Sequence, residues 1–106
     1  VNLIRSKEMG AGVAHALGPH RAVLLKNHGA VTVGATIAET VIGAIMLENA
    51  AMVQVLAEAA GDPAPEFPRA DVEKLKNDIS RPEQFAINFE YLVRRVKRRE
   101  GVNDKT

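Results

Sequence analysis

The stretch Ala22-Val23-Leu24-Leu25-Lys26-Asn27-His28-Gly29-Ala30-Val31-Thr32-Val33-Gly34 decides how this chain folds. It opens as a short apolar run bounded by turn residues, the pattern of a strand, expected over residues 22–26. Asn27-His28-Gly29 then makes a tight turn, in which Gly29 lets the backbone take φ > 0. Residues 30–33 return as a second, β-branched strand, which Gly34 closes. The result is a strand-turn-strand unit with a histidine at its tip. Such a position presents an imidazole outward, and Gly29 leaves room for a ligand beside the ring.

Helices are expected on both sides of this unit. Upstream, residues 5–17 place Met9, Val13, Ala16 and Leu17 on one side and end at Gly18-Pro19. Downstream, Thr36-Ile37-Ala38-Glu39 fits a capping box, in which threonine hydroxyl and glutamate carboxylate each satisfy a free backbone N–H. From there Val41, Ile45, Met52, Val55, Leu56 and Ala59 recur at helical spacings as far as Gly61. At ~1.5 Å per residue this helix is about 36 Å long. Residues 62–68 hold three prolines and form a linker. A short helix over 70–78 follows, and Ser80-Arg81-Pro82-Glu83 has the pattern of a second capping box. The last helix carries Phe85, Phe89, Leu92, Val93 and Val96 on one face and basic residues on the rest, with a frayed tail from Gly101.

The bulk numbers bound what the chain does. Fourteen basic against 13 acidic side chains give a net charge of +1, which favours neither nucleic acid nor an acidic-substrate trap. Arg94 to Arg99 is a cationic run without an aromatic platform, the pattern of a solvated face. There is no cysteine, hence no disulfide and no thiolate metal site. Glu39, Glu48 and Glu58 interrupt the long apolar stretches, so no segment is expected to span a bilayer. No basic start followed by an apolar run opens the chain, and a cytoplasmic location is the default. Aromatics are 4% of residues, sparse for a free-standing core. That scarcity, with Val1 as first residue, suggests a piece that completes its core against something else.

Among the residues able to carry chemistry, His28 has two readings. It is either a turn histidine satisfied by a backbone carbonyl or one ligand of a metal ion, and a catalytic ion wants about three protein ligands and an open position. His20 cannot join it on one ion, because the extended residues between them, at ~3.3 Å each, separate the rings by roughly 20 Å. His15 lies on the first helix as a packed or surface residue. If His28 binds metal, its partners lie outside these residues. Glu48 falls within the apolar stripe of the long helix and needs a partner there, as a structural link or an acid/base group.

The run from Ala22 to Gly34, with Ala35-Thr36-Ile37-Ala38-Glu39 and Leu47-Glu48-Asn49-Ala50-Ala51 after it, resembles the class II aldolase/adducin family. Leu3-Ile4, Gly10 and Ala16-Leu17-Gly18 extend the likeness upstream. It implies an α/β fold, the C-terminal half of a three-layer α/β/α domain around a mostly antiparallel sheet, assembled as a homotetramer. It also implies a divalent ion, commonly zinc, held by a His-x-His pair and by the histidine of the Asn-His-Gly turn, here His28. This chain has no His-x-His pair, and it lacks the segments for the family's acidic catalytic residue and phosphate-binding loop. No catalytic residue is therefore assigned within it, and its ligands and activity depend on the missing half.

The activity so implied is carbon–carbon cleavage of a small hydroxy-carbonyl or oxo-acid substrate through a metal-stabilised enolate. An aldehyde leaves in an aldolase and CO₂ in a decarboxylase, and His28 serves both. The long helix, Asn49-Ala50 and Tyr91-Leu92 resemble the decarboxylating members. The alternative implied by the adducin branch is a catalytically silent assembly module.

Overall fold

The computed structural model of the chain describes residues 3–61 and 65–101. The element order is α1 (Lys7–Leu17), β1 (Ala22–Leu25), β2 (Gly29–Thr32), α2 (Ile37–Ala60), α3 (Arg69–Ile79) and α4 (Pro82–Glu100). The chain divides into two units, Val1–Asn49 and Ala50–Thr106, with the boundary inside α2.

In the first unit, α1 begins two residues later than its periodicity predicts. Ser6 is the N-cap, in extended conformation, and its hydroxyl accepts the Met9 N–H at 3.2 Å. A backbone N–H and the Ser6 hydroxyl hold the Glu8 carboxyl below the usual carboxylate range. Gly18 ends the helix at φ 52, its N–H donating to the Ala14 carbonyl at 3.1 Å. Strands β1 and β2 pair antiparallel, from Ala22 opposite Thr32 to Leu25 opposite Gly29. The turn therefore consists of residues 26–28, one residue earlier than expected. Gly29 has joined the strand, because the ladder closes with its pairing to Leu25.

The corner between β2 and α2 is tightly bonded. Thr36 caps the helix by accepting the Glu39 N–H at 3.1 Å. The Glu39 carboxylate accepts the Ala35 N–H at 2.9 Å, one residue further back than in the usual reciprocal box. The Thr32 hydroxyl donates to the Thr40 carbonyl at 3.2 Å, and the Thr40 hydroxyl to the Thr36 carbonyl at 3.0 Å. Gly34 sits against this corner: a Cβ there would lie 2.7 Å from Glu39 Cβ and 3.0 Å from the Thr40 nitrogen. Neither neighbour can yield without breaking the cap. Gly34→Ala is expected to lower the stability of the intact protein by about 1–3 kcal/mol. A urea midpoint unchanged from the parent would refute that packing.

Helix α2 is more apolar than its three glutamates suggest. By length and composition alone it could cross a membrane, which corrects the expectation that no segment could. The physical reason is dilution: the remaining positions are almost all alanine and large aliphatic residues. Ile42 is its buried residue, and it lies outside the predicted stripe. Ile45, Met52, Val55 and Leu56 of that stripe are exposed, the last three by more than half, because no described element covers them.

In the second unit, residues 65–68 lack regular structure and lead into α3, capped at Pro68, while residues 62–64 of the expected linker lie outside the described residues. The second capping box does not form. Ser80 closes α3, and Arg81, held extended ahead of Pro82, is the N-cap of α4 without a side-chain hydrogen bond. Pro82 takes the first turn as expected. Phe85 is buried, Phe89, Leu92 and Val93 are half-buried, and Val96 is exposed. Arg95 lies 5.9 Å over the Tyr91 ring, and Arg94 stands 3.9 Å from Glu90. Gly101, at φ 69, caps the helix; residues 102–106, expected as a frayed tail, lie outside the described ones.

Candidate functional site

The hairpin turn holds the site. The His28 N–H donates to the Leu25 carbonyl at 3.0 Å, which closes a four-residue reversal with Lys26 and Asn27 at its centre. Asn27 has φ 56, the only left-handed residue other than glycine among those described. Gly29 follows at φ 157, which side-chain-bearing residues rarely adopt, with open space where a Cβ would stand. The backbone thus turns His28 outward, and its side chain is exposed.

An open cavity of about 580 Å³ lies between α1 and β1. Ile4, Met9 and Val13 give it apolar walls, and Lys26, Asn27 and His28 supply its polar lining. The α1 face predicted from spacing is the one that borders it, through Met9, Val13 and Ala16. The whole turn therefore belongs to the rim of a concave, mostly apolar space, the usual setting for a small-molecule site.

The other candidates do not converge on His28. His15 and His20 are exposed, and the described residues contain no group of three or more His, Cys, Asp or Glu able to hold an ion. Glu48, expected to need a partner in an apolar stripe, is exposed, so its carboxylate stays hydrated and nothing forces it to pair. Gln54 bonds Glu58 at 2.6 Å along α2. The His28 ring has no hydrogen-bond partner among the described residues. Its donor chemistry fits one position of a metal site; the described residues do not fit a complete set. Sequence reasoning passed over Asn27, although asparagine before a turn-tip histidine is itself a signal for a left-handed residue.

The sequence model of the family described as the class II aldolase and adducin N-terminal domain matches residues 2–55, half of the chain and all of the hairpin. The chain belongs to the class II aldolase and adducin family. It is 44% identical over 73 residues to the decarboxylase NovR of Streptomyces niveus, covering 69% of this chain and 26% of that protein. It is 43% identical over 63 residues to the 4-hydroxy-3-prenylphenylpyruvate oxygenase/4-hydroxy-3-prenylbenzoate synthase of Streptomyces roseochromogenus subsp. oscitans, covering 59% and 23%. The 3,4-dihydroxyphthalate decarboxylase of Arthrobacter keyseri is 27% identical over 73 residues, covering 69% and 29%. The chain thus spans about a quarter of the length of these curated relatives. No solved structure matches it.

Proposed function

We propose that the protein to which these residues belong is a divalent-metal-dependent carbon–carbon lyase, with a small aromatic hydroxy- or oxo-acid as substrate and CO₂ as leaving group. The observation that carries this reading is the exposed imidazole of His28 on a left-handed turn, at the rim of a cavity and inside the family match. Relatives named as decarboxylases favour loss of CO₂ over loss of an aldehyde.

His28 donates one ring nitrogen to the ion, zinc by the family's habit, and the remaining ligands come from outside the described residues. The chemistry such an ion supplies when bound is Lewis-acid polarisation of a carbonyl oxygen. The residues of this chain contribute position and medium. The turn sets the backbone from which the imidazole projects, and Ile4, Met9 and Val13 line a wall that accepts the apolar part of an aromatic substrate. In the same reading these residues are the C-terminal part of a three-layer α/β/α domain, residues 62–68 link it to its last helices, and the assembly is a cytoplasmic homotetramer. The apolar flank of α2 is then an internal surface of that assembly and not a membrane span.

The test is product analysis. The intact protein, loaded with Zn²⁺, is incubated with aromatic 3-oxo acids and with ortho- or para-hydroxylated aromatic acids carrying a ¹³C carboxyl, in which the electron pair left by CO₂ passes to the carbonyl or ring oxygen. Release of ¹³CO₂ that a chelator stops and Zn²⁺ restores is the expected result. Aldehyde without CO₂ would replace the decarboxylase by an aldolase, and turnover that ignores the chelator would defeat the metal reading.

A further inference from the structure

Asn27 and His28 face different demands: one residue of the turn must supply a strained backbone, the other a donor. From this division we infer that Asn27 is a positioning residue, whose left-handed backbone holds the His28 imidazole where an ion can use it. The inference rests on the proposed metal role of His28.

Three observations point this way. Asn27 takes φ 56, in a region that side-chain-bearing residues occupy at a penalty and asparagine more readily than most. Its amide forms no hydrogen bond to a described residue, so its contribution to the turn is the backbone angle it tolerates. The His28 N–H to Leu25 carbonyl bond, 3.0 Å long, closes across Asn27, and among the turn types that close such a bond this one carries its left-handed angle at the third residue. A residue that resists the left-handed region shifts the turn toward other conformers, in which His28 leaves the cavity rim. Ion binding must then restore the turn, and apparent affinity falls by the fraction of chains still in the competent form.

The experiment compares Asn27→Ala, Asn27→Gly and His28→Ala in the intact protein, by Zn²⁺ titration against a chromophoric chelator, normalised to folded protein. Alanine disfavours φ 56 and glycine accepts it, while both remove the amide. The expected result is about tenfold weaker Zn²⁺ binding in Asn27→Ala. Asn27→Gly should stay within about twofold of the parent, a rescue that loss of side-chain contacts would not produce. Equal weakening in both variants would show that the amide is needed and would overturn the inference. So would parental affinity in Asn27→Ala while His28→Ala loses the ion. Retention of the ion in His28→Ala would instead defeat the metal reading itself, a separable outcome.

Discussion

Replacing His28 by alanine is expected to strip the intact protein of its ion while leaving its fold in place. Residues that merely orient a metal ligand already change affinity by about 10–100-fold, so loss of the ligand itself should weaken Zn²⁺ binding by about 100-fold or more. The fold should survive because the His28 side chain is exposed and bonds no described residue; only its backbone N–H closes the turn, and alanine keeps that. The measurement is metal content by elemental analysis beside a thermal melt recorded with excess chelator. Parental metal content in the variant would refute the assignment. A large drop in the chelated melting temperature would mean that the imidazole holds structure and not metal.

How far the site could be read from the sequence follows from the range of the forces involved. The hairpin and its tip rest on local preferences, a short apolar run before Asn-His-Gly and a β-branched one after it, and local preferences are written in neighbouring residues. The one-residue slip that put Gly29 into β2 reflects pairing, since the partner of Leu25 is settled across the ladder and not by either strand alone. The left-handed angle at Asn27 could have been foreseen from its residue type and was not. Partners for His28 on the proposed ion could not be foreseen, because the described residues hold no group of three or more His, Cys, Asp or Glu.

A polypeptide limited to these 106 residues is expected to lack a cooperative melting transition. Ile42 and Phe85 are its only buried hydrophobic side chains among those described, whereas a single core residue normally touches about 6–12 others. The hairpin has two strands, and isolated two-stranded sheets are marginal in water. Helices α1 and α3 have 11 residues each, short of the ~12–15 at which isolated helices begin to hold. Calorimetry should therefore record a broad loss of helix without a heat-absorption peak. A sharp transition of about 60–80 kcal/mol, as expected of a 100-residue domain, would show that these residues fold unaided.

The same contrast divides the rest of the fold. Thr36 and Glu39 were legible as a cap, because the bonds lie within four residues, and Gly18 and Pro82 marked helix ends for equally local reasons. Ser80 was misread: the pattern suited a cap, but Pro82 forces its predecessor to be extended and moves the start of α4 by one residue. The stripe on α2 was legible as apolar and illegible as to its cover. Periodicity states which side of a helix avoids water and is silent on what shields it.

The bonded corner at Thr32, Gly34, Ala35 and Thr40 gives the hairpin the character of a hand on a stiff wrist. With the Thr32 hydroxyl bonded to the Thr40 carbonyl and Gly34 packed against Glu39 and Thr40, β2 is tied to the first turns of that helix. Whatever seats α2 thereby aims the imidazole at the far end of the hairpin. An assembly defect on the helix would be felt as a misdirected ligand, without any change in the residues that surround it.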